Sequence, residues 1–153
     1  MARFVRRGED QLLWPYARSR GGRLWQEVWI PVDGKGKKRR IDGVLAPDPG
    51  TPLSRPSEPV DWKAIGLEVI EVKAVLNEEV IGQVAAARLE AALLGDRAPE
   101  SVSALVLVGE AHDRDLLYVC GELDIRVEVE KACVVLSVPF LHDDAILASL
   151  QRL

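Results

Sequence analysis

Hydrophobic and polar positions along this chain follow two rhythms, and each predicts a set of elements. Arg7–Trp14 opens a helix. Glu9 and Asp10 in its first turn suit the helix dipole, and Leu12, Leu13 and Tyr16 give it one apolar face. Pro15 falls inside it and predicts a kink or an early end, and Gly21-Gly22 closes it. Arg23–Pro31, rich in aromatic and β-branched residues, reads as a strand. Strict alternation along it puts Trp25, Glu27 and Trp29 on one face and Leu24, Gln26, Val28 and Ile30 on the other. Asp33–Lys38 is a hairpin turn, and Arg39–Ala46 returns as a second strand. Pro47–Pro59 holds five of the nine prolines and reads as a loop. Trp62–Ala74 is a central strand. Asn77 caps a helix over 80–94 that stops at Gly95. Ser101–Gly109 is nearly continuous in apolar residues, as in a strand buried on both faces. Asp113–Glu122 is a short helix, Ile125–Glu130 a half-buried strand, Cys133–Val138 an edge strand and Ala145–Leu153 a C-terminal helix. Antiparallel strands come first and crossovers follow, which predicts an α/β fold with a mixed sheet.

The apolar rhythm is broken most sharply within Gly66–Ala74. Glu71 and Lys73 lie two residues apart and so share one face of a strand otherwise built from Leu, Val and Ile. Burying charge is costly unless the charge is paired or holds a metal. The two side chains are therefore either a structural ion pair or parts of a site. Glu68 is an odd number of residues from Glu71 and faces away. Asp42 stands on the preceding strand, with twenty-eight residues between it and Glu71. Gln83 follows Lys73 by ten residues, on the next helix.

Composition narrows the class without choosing the chemistry. With 153 residues, a single domain spanning 1–153 is expected. The 48% hydrophobic and 29% charged content is ordinary for a soluble globular chain. No apolar run approaches the ~18 residues of a membrane span, and no apolar h-region follows the basic N-terminus. Cys120 and Cys133 lack metal-ligand spacing and read as buried thiols in a reducing cytoplasm. The net charge of −4 hides an asymmetry. Residues 1–42 hold eleven Lys and Arg against five Asp and Glu, while residues 43–153 hold nine against nineteen. The basic surplus peaks at Lys35, Lys37, Lys38, Arg39 and Arg40, a candidate polyanion-binding stretch or a solvated turn.

Asp42 on a strand, then Glu71-Val72-Lys73 on the next, then Gln83 on a helix, resembles the PD-(D/E)XK nuclease superfamily. That resemblance implies a restriction-endonuclease-like fold with an αβββαβ core, here extended by a C-terminal helix, strand and helix. It places the family's lone acid on Asp42, its acidic-x-Lys pair on Glu71 and Lys73, its first-helix Glu on Glu9 and its helical Gln on Gln83. Ile41 stands where the family is named for proline.

The resemblance implies a Mg²⁺-dependent DNA endonuclease, with Mn²⁺ as a substitute. Asp42, Glu71 and the backbone carbonyl of Val72 would hold the ion, with Glu9 as a further candidate ligand. Lys73 would activate water. Lys35, Lys37, Lys38, Arg39 and Arg40 would hold the phosphates of duplex or branched DNA without reading sequence. Glu27 is the other candidate for the accessory acid, or a partner for Arg40 across the hairpin. Small members often act as homodimers or within larger complexes. Two other functions fit the same residues. One is a non-catalytic module of this fold that binds nucleic acid or a protein. The other is an α/β interaction module in which Glu71 pairs with Lys73 and Asp42 lies far from both.

Overall fold

The computed structural model describes residues 2–32 and 36–130. Helix α1 (Ala2–Arg20) leads into strands β1 (Arg23–Val32), β2 (Lys37–Ala46) and β3 (Glu68–Val75). Helix α2 (Glu78–Leu94), a short 3₁₀ turn at Pro99–Ser101, β4 (Ser103–Glu110), α3 (Arg114–Glu122) and β5 (Ile125–Val129) follow. The strands form one sheet in the order β1-β2-β3-β4-β5. β1, β2 and β3 pair antiparallel, whereas β4 lies parallel to β3 and β5 parallel to β4. The expected α/β class with a mixed sheet is thus observed. The edge strand over 133–138, the helix over 145–153, Lys35 and Cys133 lie outside the described residues.

Each face of the sheet carries its own core. On one face, α1 packs Leu12, Leu13 and Ala17 against Leu24, Leu45, Ile70 and Leu105. On the other, α2 packs Val80, Val84, Ala87 and Ala91 against Ile41, Val44, Val69 and Val106. The small alanines let this helix lie close to the sheet, and Cys120 of α3 is buried in the same layer. β4 is buried on both faces over Ala104–Gly109, as its apolar run predicts. Asn77 caps α2 by accepting the Val80 N–H at 2.9 Å, which satisfies one of the donors a helix start leaves open.

Several boundaries differ from the sequence pattern, each for a physical reason. α1 begins at Ala2, so Glu9 and Asp10 fall in its middle and its first turn carries no acid. The helix runs through Pro15 to Arg20. Pro15 and Gln11 are both exposed, so the carbonyl that loses its helical donor can turn to water. β3 starts only at Glu68, because Gly66 at φ 70° breaks the extended chain before it.

β1 departs from simple alternation. Trp25, Val28 and Ile30 all pack in the α2-side core, while Leu24 packs under α1. The switch of parity falls at Glu27, whose φ of 50° is left-handed. Its partner β2 switches in step, with Ile41 and Val44 on the same face. Glu27 therefore does not share a face with both tryptophans as alternation predicts.

The proline-rich segment after β2 is a loop, as expected, and it runs back along β1. Leu24 N–H donates to the Ser54 carbonyl at 3.0 Å, and Ser54 N–H to that of Gly22 at 2.8 Å. Gly22 has φ 97°, and a Cβ there would sit 2.1 Å from the Ala46 carbonyl oxygen. Only glycine permits this corner.

Candidate active site

Asp42 and Glu71 meet where β2 and β3 part. The two strands are in register at Leu45↔Glu68, Val44↔Val69 and Gly43↔Ile70. Continuing that register would set Asp42 opposite Glu71, but the ladder ends at Gly43. There the Asp42 side chain replaces the backbone: its Oδ2 accepts the Val72 N–H at 2.9 Å. A buried donor left without its ladder partner is costly, and this carboxylate satisfies it.

Both carboxyls are buried, and they lie within hydrogen-bonding contact of each other. Burial, then the Asp42 charge and the hydrogen bond to it, push the Glu71 carboxyl up to about 9, against weaker opposite pulls from Arg40 and Arg39. Two acids side by side out of water cannot both ionise cheaply. Glu71 therefore keeps its proton at neutral pH until another positive charge takes that proton's place.

A cavity of about 260 Å³ opens over this pair. Lys73, half-buried, and Gln83, from α2, line it together with Val72. Gln83 also donates to Glu79 at 3.3 Å, one helical turn back. Arg40 Nη2 reaches Asp42 Oδ1 at 3.3 Å, and Arg40 Nη1 lies 3.8 Å from Glu27. Arg39, on the α2 side, pairs with Glu90 at 3.3 Å. Lys37 and Lys38 are exposed.

The structure thus gathers Asp42, Glu71, Val72, Lys73 and Gln83 around one cavity. It turns Arg39 and Arg40 inward to line the same space and leaves Lys37 and Lys38 outward. Glu9 lies on α1, and its side chain is outside those described. Among the described residues no ion pair joins Glu71 to Lys73, and the neighbours that act on Glu71 are Asp42, Arg40 and Arg39. The ion-pair reading required Asp42 to lie far from Glu71, and the two are in contact. Among the described residues no group of three or more His, Cys, Asp or Glu is disposed to hold a metal.

A second polar cluster lies on the opposite face, under α1, and the sequence pattern did not reveal it. Glu68 is buried, accepts the Tyr16 hydroxyl and pairs with Arg20 at 2.8 Å. Arg126 of β5 donates to the Tyr16 hydroxyl and lies 3.6 Å from Glu68. Burial raises the Tyr16 phenol, and Glu68 raises it further. The signal in the sequence was a second acid, Glu68, in the apolar β3, with Tyr16 and Arg20 one helical turn apart.

Comparison with family models, with curated proteins and with solved structures finds no match to this chain.

Proposed function

We infer that this protein is a divalent-metal-dependent phosphodiester hydrolase that cuts DNA, with a restriction-endonuclease-like fold of the PD-(D/E)XK kind. One observation carries the reading: the buried contact between Asp42 and Glu71 at the point where β2 and β3 separate. The element order from α1 to β4, a helix, three strands, a helix and a strand, agrees with it.

The donor set fits a hard cation such as Mg²⁺ or Mn²⁺. It is all oxygen, and two buried acids that repel each other gain when a doubly charged ion replaces the proton between them. Asp42 and Glu71 would hold the ion. The Val72 carbonyl is a further candidate, because within a strand a residue's N–H and C=O point to the same edge, and this N–H faces β2. The bound ion supplies polarisation of the phosphate and a lower pKa for attacking water. Two acidic side chains and a peptide carbonyl leave about half of an octahedral coordination shell to water and substrate, and Mg²⁺ keeps several waters.

The chain's own residues supply the rest. Lys73 projects from the same face of β3 as Glu71 and brings an ammonium to the cavity, where it can orient water and offset charge building on the phosphate. Gln83 offers an amide to Lys73 or to the nucleic-acid backbone. Arg39 and Arg40 line the path to the acids, and Lys37 and Lys38 lie outward of them for neighbouring phosphates.

A second reading, a non-catalytic module of the same fold, gains from one contact. Arg40 sits 3.3 Å from Asp42 and partly compensates its charge without a metal. Incubating plasmid and branched DNA with Mg²⁺ or Mn²⁺ separates the two. The enzyme reading expects cleavage that EDTA stops and Asp42→Ala abolishes. Wild-type protein that leaves every substrate whole while still binding DNA supports the module instead.

A further inference from the structure

Beside β1, the first strand of the sheet among the described residues, a cleft of about 530 Å³ opens between the strand and the proline-rich segment. Trp25 and Trp29 from β1 and Trp62 from beyond the loop line it together with Arg55, whose guanidinium lies 3.9 Å from the centre of the Trp14 ring. Trp25 is fixed: its Nε1 donates to the Glu58 carbonyl at 3.0 Å, and its ring is buried. Trp62 is half-buried against the α2-side core. Trp29 differs from both, with 62% of its surface exposed. Leaving a large apolar ring in water forfeits the stabilisation its burial would bring, and the core of this fold does not use it.

Trp29 also has a particular neighbour. In the β1–β2 ladder it stands directly opposite Arg40, and opposed residues share a face with Cβ atoms about 4.5–5.5 Å apart. Arg40 in turn reaches Asp42 at 3.3 Å. The exposed indole is therefore one residue removed, across the ladder, from a cation that lines the candidate active site. An aromatic platform beside cations that follow a phosphate backbone is the arrangement that binds single-stranded nucleic acid.

We propose that Trp29 and the cleft behind it hold an unpaired nucleobase of the DNA strand whose phosphate lies at Asp42 and Glu71, which makes single-stranded or branched DNA the preferred substrate. The proposal rests on the nuclease reading for the role of those two acids. A base inside a duplex is stacked on both faces and cannot lie against an indole unless it is unpaired or flipped out. Stacking tolerates any base, because every base has a π face. The charges favour this occupant over a proline-rich peptide, which aromatic grooves also take. Arg55 lies in the cleft and Arg40 beside it, with Lys37, Lys38 and Arg39 further along β2, which suits a polyanion.

The test is fluorescence anisotropy in EDTA and low salt, with a labelled oligothymidylate and the same chain made of abasic sites. Wild-type protein is expected to favour the base-bearing strand. Trp29→Ala is expected to erase that preference, weakening binding to the base-bearing strand by about tenfold while leaving the abasic strand nearly unaffected. Trp29→Phe keeps an aromatic face and should retain most of the preference. Trp29 is exposed, so both variants should melt like wild type. Equal affinity for the two strands in wild type overturns the proposal. So does Trp29→Ala that binds like wild type, or a proline-rich peptide held in place of the oligonucleotide. EDTA separates this outcome from catalysis. Base-dependent binding without any Mg²⁺-dependent cleavage sinks the enzyme reading alone, and cleavage without base-dependent binding sinks the cleft alone.

Discussion

The Asp42 carboxylate accepts the Val72 N–H at 2.9 Å, so a side chain from β2 completes the hydrogen bonding of β3 where the backbone ladder has ended. That bond holds Asp42 against Glu71 and makes the two acids one electrostatic unit. It also separates two effects of substitution at Asp42. Asp42→Asn keeps an acceptor for Val72, whereas Asp42→Ala orphans a buried N–H at a cost of about 1–3 kcal/mol. Thermal melts should therefore rank Ala well below Asn. Cleavage assays should find both inactive.

Glu71 makes the metal-free protein sensitive to pH. Its ordinary value is 4.5 and its folded value about 9, so between those limits the folded state holds a proton that the unfolded chain has lost. Stability then falls as pH rises through that window. Urea denaturation in EDTA across that range should show this decline. Glu71→Gln, which cannot ionise, should flatten it. Mg²⁺ should offset the decline at the alkaline end in wild type and not in the variant.

Lys73 is half-buried at the cavity, and among the described residues no hydrogen bond or ion pair of its side chain ties it to the core. Lys73→Ala should leave the melting temperature close to wild type while lowering the cleavage rate by about 10²–10⁴-fold, the usual loss for a positioned proton-transfer group. Titration calorimetry should show Mg²⁺ still bound, since neither acid has changed. A variant that loses the metal together with the rate would place Lys73 in support of the acids instead.

Lys37 and Lys38 are exposed, so replacing both with Ala should touch DNA and not the fold. Affinity should fall alike for every sequence, and the slope of log affinity against log salt should become shallower by about two, one for each lost phosphate contact. Anisotropy across a salt series checks this. An unchanged slope would leave the basic run as a solvated turn.

The cluster under α1 predicts a loss of stability with a different signature. Tyr16→Phe removes the hydroxyl that both Glu68 and Arg126 use and should cost about 1–3 kcal/mol in chemical denaturation. The cluster lies on the sheet face opposite Glu71, so the Glu71-dependent decline with pH should persist in this variant.

Much of this protein is legible in the order of its residues. The α2 cap, the buried run of β4, the antiparallel start and the later crossovers follow from local rules of periodicity, capping and turn chemistry. Glu71 and Lys73 are legible for the same reason: two charges at a spacing of two on an apolar strand must share a face. Glu68 facing away from them follows from the same parity. The failures fall where neighbouring strands act on each other. Local alternation could not foresee Glu27 at φ 50°, which reverses the faces of β1 and forces β2 to follow. Nor could it foresee α1 running through Pro15, which depends on which side of the helix meets water.

The sequence by itself determined which residues carry charge on which strand, because parity and capping act over a few positions. Only the tertiary structure decided that Asp42 and Glu71 touch, that Arg39 and Arg40 turn inward, and that Tyr16, Arg20, Glu68 and Arg126 converge under α1. Those contacts join residues far apart in the chain. They depend on where the β2–β3 ladder stops and how a helix crosses the sheet, and those follow from the packing of two cores rather than from any local pattern.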